Sequence, residues 1–164
     1  MFNVNDEEEI GRGSHGIVYM CYDGKTCCKK IFNNIKYTEK TLRKIKKLQI
    51  HNIYKIYEIR QKGSFLNREL DEYYMDYYEP AKITNPEVKK MNRTNNNLPL
   101  LYFPIEYIIR NYYALKDTFE QLYKHNIEVI DMRYLNLVFT EKDIIIIDVD
   151  NYLKGKNERF CFIL

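Results

Sequence analysis

The stretch Gly11-Arg12-Gly13-Ser14-His15-Gly16-Ile17-Val18 sits between two runs that read as strands, within residues 8–20. A strand on both sides separates it from a dinucleotide fingerprint, whose glycines lead from a strand into a helix. Two readings stay open for the stretch alone. It is either an ordinary Gly-rich hairpin, or a loop whose backbone N–H groups approach phosphate without Cβ clashes.

Working outward, Tyr22-Asp23-Gly24-Lys25 is a hairpin signal, because Asp-Gly supplies the positive φ of a tight turn. Residues 26–32 return as a third strand carrying Lys29. Residues 35–49 put Leu42, Ile45 and Leu48 on one helical face, with Lys40, Arg43, Lys44, Lys46 and Lys47 over the rest. That basic face reads as a solvated surface. Residues 53–60 alternate like a strand, residues 61–64 read as a turn, and residues 73–78 form a further apolar and aromatic strand. Residues 80–99 change character. Pro80, Pro86, Pro99 and the run Asn95-Asn96-Asn97 suit a connection. The boundary therefore falls near Glu79, dividing the chain into residues 1–79 and 80–164. Pro104 then opens a long helix to about Lys124, since Pro fits a first helical turn. Two short strands follow, at residues 137–140 and 144–148, joined by Glu141-Lys142-Asp143. The fold class is α+β: an antiparallel sheet with one helix, then a smaller helical part.

Length and composition set bounds. The 164 residues, 45% of them hydrophobic, are enough for a real core in one domain or in two small lobes sharing a cleft. A net charge of +3 gives no bulk electrostatic pull toward nucleic acid. No apolar run approaches the ~20 residues of a membrane helix. The acidic start, Asn5-Asp6-Glu7-Glu8-Glu9, lacks a signal-peptide core. Cys21, Cys27, Cys28 and Cys161 have neither C-x-x-C spacing nor partner histidines at ligand spacing. They are expected to be reduced and packed, hence a cytoplasmic protein. Adjacent Cys27 and Cys28 point to opposite faces of a strand.

Three further stretches carry chemistry. Thr26-Cys27-Cys28-Lys29-Lys30 offers two lysines. Alternation puts Lys29 with Cys27 and Ile31, and Lys30 with Cys28 and Phe32. His125-Asn126-Ile127-Glu128-Val129-Ile130-Asp131-Met132-Arg133-Tyr134-Leu135-Asn136 leads from the long helix into a strand. Ile144-Ile145-Ile146-Ile147-Asp148-Val149-Asp150 puts an acid at the end of a buried strand. Each acid alone would be an ordinary loop carboxylate. In this order, with the glycines and Lys29 upstream, coincidence is a poor account.

The set resembles the protein kinase superfamily over roughly residues 8–152. The resemblance implies a two-lobe fold, with an antiparallel N-lobe sheet plus one helix and a reduced helical C-lobe. It implies a phosphate-covering loop at Gly11, Gly13, Gly16 and Val18, and Lys29 pairing with the α and β phosphates. Tyr73 to Tyr78 resembles the strand and hinge that receive adenine, with Met75, Asp76 and Tyr77 at the base. Asp131 matches the residue that accepts or orients the substrate hydroxyl proton. Arg133 stands where a cation offsets charge on the moving phosphoryl group. Asn136 and Asp148 match the magnesium ligands. The cofactors implied are ATP and Mg²⁺.

The pattern also departs from the family. Val129 and Ile130 replace the usual His and Arg before Asp131. The Arg is the usual partner of a phosphorylated activation loop, so no such switch is expected. After Asp150 only residues 151–164 remain, too few for an activation segment and later helices. The helix glutamate that holds the lysine has no match at its usual place: either a shifted or earlier-starting helix supplies Glu39, or the ion pair is missing or made elsewhere. The inward position falls on Thr41, and the nearest acid, Glu39, lies on a different face.

The expectation is an ATP- and Mg²⁺-dependent kinase acting on a hydroxyl: a protein Ser/Thr, the enzyme itself or a small molecule. The alternative is a pseudokinase that binds nucleotide or a partner without catalysis. Partners beyond ATP and the acceptor are not named by the sequence. No nucleic acid or membrane is expected, and no feature of the sequence demonstrates an oligomer.

Overall fold

The computed structural model describes residues 1–32, 36–61, 71–82, 103–129, 136–149 and 153–154. Its elements in chain order are β1 (Val4–Arg12), β2 (Gly16–Cys21), β3 (Thr26–Ile31), α1 (Lys36–Leu48), β4 (Ile56–Arg60) and β5 (Asp71–Asp76). Then come α2 (Ile105–Lys124), β6 (Ile127–Glu128), β7 (Leu137–Phe139), β8 (Ile144–Ile146) and β9 (Leu153–Lys154). The first five strands form one antiparallel sheet in the order β1-β2-β3-β5-β4. The α+β class is as expected.

The β2–β3 turn follows from its sequence. Gly24 has φ 65°. The Asp23 carboxylate accepts from the backbone N–H of Lys25 and Thr26, both at 2.9 Å, and from the Thr26 hydroxyl at 2.7 Å. This is the side-chain-to-backbone closure that makes Asp a turn residue. Register then sets a cross-strand row, with Val18 opposite Lys29 and Lys29 opposite Tyr73.

The two sheet faces carry separate clusters. The inner cluster takes Cys27, Ile31, Tyr73 and Met75 from the sheet, Leu42 and Ile45 from α1, Tyr107, Leu115 and Leu122 from α2, and Ile144 to Ile146 from β8. The outer face holds Cys21, Cys28 and Tyr74, with Phe2, Val4 and Tyr57 against them. Cys27 and Cys28 thus point to opposite faces, and burial pushes both thiols up to about 12. Cys21, Cys27 and Cys28 are free and buried; Cys161 lies outside the described residues.

α2 is a 20-residue helix closed at its end by Asn126 at φ 53°, a left-handed residue that stops helix propagation. Its inward stripe is Tyr107, Asn111, Leu115, Thr118 and Leu122. Fully buried Asn111 grips the β7–β8 hairpin by accepting from the backbone N–H of Ile144 at 2.8 Å. The Tyr107 hydroxyl donates to the Thr140 carbonyl at 2.9 Å. Thr140 closes the hairpin turn by accepting from the Asp143 N–H and donating to the Asp143 carbonyl.

Several boundaries differ from the sequence reading, β8 among them, which ends at Ile146 instead of Asp148. β1 starts at Val4, so the acidic run is strand, not a lead-in. It lies at the sheet edge, where charges are tolerated and discourage further pairing. Residues 53–55 stay outside β4, because the backbone around Ile53 pairs with β8: Ile146 N–H donates to Asn52 and Tyr54 N–H to Ile146. β5 runs from Asp71 to Asp76, two residues earlier than the sequence reading, and the N–H of Tyr77 carries the same register one step further onto the Lys25 carbonyl, just before β3 begins. β6 pairs with β9, a contact the sequence did not announce. The turn at 62–64 and most of the connection at 83–99 lie outside the described residues.

Candidate functional site

The β7–β8 hairpin places one candidate residue at each of its open ends. Asn136 precedes β7 and Asp148 follows β8, and the N–H of Ile147 donates to the Asn136 carbonyl at 2.9 Å. Asp148 has φ 66°, a left-handed conformation that Asp tolerates better than most residues. The strand run therefore ends in a sharp turn that takes the carboxylate off the strand path.

Lys29 comes from β3 and forms an ion pair with Asp148, 119 residues later in the chain. Lys29 is only 6% exposed. A buried ammonium needs such a partner, since desolvation without one is costly. Lys30 takes the other face, where it pairs with Asp6 and lies over the Tyr19 ring at 4.9 Å. Glu39 is engaged elsewhere: Arg43 and Gln61 take its two carboxylate oxygens. Thr41, at the position the sequence points inward, is 6% exposed.

The glycines divide by what lies beside them. A Cβ on Gly16 would sit 2.4 Å from the Lys30 carbonyl oxygen and 3.2 Å from the Lys29 Cε. Gly16 thus lets β2 close onto β3 directly over Lys29. Gly11 and Gly13 meet nothing within 4 Å, so their bare Cα atoms leave the roof open. The N–H of Gly13 donates to the Gly16 carbonyl at 2.9 Å, which fixes the loop as a turn.

These parts enclose a cavity of about 600 Å³. Gly11, Gly13, Gly16 and Val18 line its roof; Lys29, Asn136 and Asp148 line one end; Met75, Asp76 and Tyr77 line the other. Asp131, Arg133 and Asp150 lie outside the described residues. At the Met75 end the Asp76 carboxylate accepts from the hydroxyls of Tyr57 at 2.6 Å and Tyr78 at 3.5 Å. The Tyr57 hydrogen bond to Asp76 holds its phenol up to about 12, and burial does the same for Tyr78. The N–H groups of Asp76 and Tyr77 are already engaged, on the carbonyls of Lys55 and Lys25.

A tyrosine pair at the back of the cavity was not picked out from sequence. The Tyr54 and Tyr73 hydroxyls are 2.9 Å apart, and the N–H of Val149 donates to the Tyr54 hydroxyl at 3.3 Å. Tyr54 thereby ties the sheet to the turn that carries Asp148. Its only signal in the sequence was a tyrosine inside an apolar alternation. Tyr54→Phe is expected to cost about 1–2 kcal/mol of stability, because it removes two buried hydrogen bonds, to the Tyr73 hydroxyl and from the Val149 N–H. Urea unfolding checks this, and a cost near zero would show the Tyr54 hydroxyl to be idle.

No protein-family model matches this chain, and no curated protein matches it in sequence.

Proposed function

We propose that the chain is an ATP- and Mg²⁺-dependent phosphotransferase of the protein-kinase-like type, acting on a hydroxyl. One observation carries the reading. Lys29 and Asp148 meet within a cavity roofed by a glycine turn, with Asn136 beside them. A cation, an amide oxygen and a carboxylate under a glycine turn, with Arg12, Ser14 and His15 of that turn also in the lining, suit a polyphosphate. The opposite end, at Met75, suits a flat apolar base. Base recognition there falls to the Asp76 carbonyl, which also takes the Cys27 thiol at 3.7 Å, and to the Tyr78 backbone, since the N–H groups of Asp76 and Tyr77 are engaged.

In this reading the chain works by position and charge, because phosphoryl transfer asks little covalent chemistry of a protein. Lys29 holds phosphate oxygens while remaining tied to Asp148. Asp131 orients the acceptor hydroxyl and takes its proton, and Arg133 offsets charge on the moving group. Asn136 and Asp148 fit a magnesium ion, as adjacent hard oxygen donors facing one cavity. The ion, when bound, neutralises phosphate charge. The residues are proposed to act in a cytoplasmic protein.

A non-catalytic nucleotide-binding module is the second reading. The engagement of Glu39 by Arg43 and Gln61 favours it, because no helix carboxylate is thereby offered to Lys29 from that position.

Transfer of γ-labelled phosphate from Mg-ATP separates the two. Label is followed on the protein, on a general protein acceptor and in a pool of small hydroxyl compounds. The enzyme reading expects label with the native chain and a loss of at least about a hundred-fold with Asp131→Ala. Nucleotide binding with no label from the native chain would establish the module instead. Product mass distinguishes phosphoryl from nucleotidyl transfer.

A further inference from the structure

Among the described residues that line the cavity, five carry a side-chain hydroxyl: Ser14, Tyr54, Tyr73, Tyr77 and Tyr78. The tyrosines are poorly placed to accept a phosphoryl group. Tyr54 and Tyr73 are buried, with their hydroxyls 2.9 Å apart. The Tyr78 hydroxyl donates to the Asp76 carboxylate, and Tyr77 stands at the same Met75 end. Ser14 is exposed and belongs to the glycine turn over the other end.

Strand register fixes where Ser14 lies along the cavity. Cys27 of β3 pairs with Met75, which marks the base end. Two residues on, Lys29 pairs with Val18. Two further, Ile31 pairs with Gly16, and the N–H of Phe32 donates to the His15 carbonyl at 3.0 Å. Ser14 and His15 therefore form the tip of the turn, roughly 7 Å past Lys29 on the side away from Met75. A nucleotide with its base at Met75 and its phosphates at Lys29 points its terminal phosphorus toward that tip. Phosphoryl transfer needs the acceptor oxygen in line with the leaving oxygen, on the far side of the phosphorus. Ser14 stands on that side. Its hydroxyl oxygen lies 3.0 Å from His15 Nδ1, a hydrogen bond that directs the side chain. The turn itself is closed by the Gly13 N–H on the Gly16 carbonyl.

We propose that each chain phosphorylates its own Ser14. The inference rests on the phosphotransferase reading above and names its acceptor. The Ser14 oxygen bonds to the γ-phosphorus of Mg-ATP, the bond from that phosphorus to the ADP oxygen breaks, and ADP leaves with the electron pair. The hydroxyl proton passes to Asp131, the base of that reading. His15 is a positioning residue. The reaction limits itself, because phosphoserine carries a charge of about −1.5 to −2, set where the next nucleotide's phosphates would lie.

The test takes the full chain, treated with a phosphatase that is then removed, and Mg-ATP labelled at the γ-phosphate. Peptide mass mapping locates the label. One phosphoryl group per chain is expected, on Ser14. Its rate per chain is expected to hold within about two-fold from about 1 to about 100 μM protein, since the step is internal. Ser14→Ala is expected to lose the self-label with its melting unchanged, because the side chain is exposed. His15→Ala is expected to slow labelling of Ser14 about ten-fold, and His15→Asn, which sets a polar atom near the place of Nδ1, to recover most of the rate. By calorimetry the phosphorylated chain is expected to bind Mg-ATP at least about ten-fold more weakly than the dephosphorylated one. Label on an added acceptor or on another residue, with none on Ser14, would overturn this inference and leave the phosphotransferase reading standing. No label anywhere would overturn both. A rate per chain that rises with protein concentration would overturn transfer within the chain. Equal affinity of the two forms would overturn the placing of Ser14 beside the phosphates, and native labelling in His15→Ala would overturn the role of His15.

Discussion

Lys29→Met is expected to reduce phosphoryl transfer by about a hundred-fold or more, the loss seen when one fixed donor to a developing charge is removed. Lys30→Met, one residue on, is expected to leave it within about two-fold. The contrast follows from strand alternation. Lys29 shares its face with Cys27 and Ile31 under Gly16 and reaches Asp148. Lys30 projects from the opposite face toward Asp6. Methionine is unbranched and of similar length, so it fills the space Lys29 leaves and isolates the effect of the charge. Some stability is lost as well, because Asp148 keeps its charge without its partner. The Asp148 side chain is 28% exposed, and water takes over part of the role, so the cost is about 1–2 kcal/mol, not the larger value for a fully buried pair. Initial rates and urea titrations on both variants check the two parts. Equal losses from Lys29→Met and Lys30→Met would mean that the inner face of β3 is not where the chemistry lies.

The second large effect is expected at Gly16. Alanine there would place its Cβ 2.4 Å from a backbone carbonyl of β3, a partner that cannot rotate away. β2 and β3 must separate locally, and the ladder from Gly16–Ile31 to Val18–Lys29 is where they part. A cost of about 2–3 kcal/mol follows, as for other forced overpacking. For a chain of this size that lowers the melting temperature by roughly 5–10 °C. Gly11→Ala and Gly13→Ala meet no neighbour within 4 Å. They are expected to stay within about 1 kcal/mol of native in stability while narrowing the roof of the cavity. A thermal scan of the three variants orders them. If Gly16→Ala melted with Gly11→Ala and Gly13→Ala, the close approach of β2 to β3 would not be a structural requirement.

Much of the fold was legible because its signals are local. Asp23-Gly24 names its turn, Pro104 its helix start, and the alternation through Cys27, Lys29 and Ile31 names the face on which Lys29 lies. Leu42 and Ile45 announce the buried side of α1, and both are buried. Less legible was whatever depends on a distant partner. Asn111 reads as one polar residue in a helix, yet it is fully buried because the Ile144 backbone needs it. Tyr54 reads as part of a strand, but the backbone beside it pairs with Ile146. The first half of β1, before residue 8, hid behind an acidic run, since edge position, not periodicity, explains it.

The candidate site divides in the same way. Residue types and order pointed to the glycines, Lys29, Asn136 and Asp148, and these line one cavity. The tyrosine bracket behind Asp148 had no sequence pattern to find it by. Neither did the engagement of the Asp76 and Tyr77 N–H groups, because both are consequences of strand register.

The most direct measurement is calorimetric titration of the native chain with ATP, with Mg²⁺ and with EDTA. The central claim is that the cavity under the Gly11–Gly16 turn takes a magnesium nucleotide. It predicts one saturable site per chain, at least about ten-fold weaker in EDTA and at least about ten-fold weaker in Lys29→Met. Absence of saturable binding in the presence of Mg²⁺, or binding indifferent to both EDTA and Lys29→Met, would contradict it.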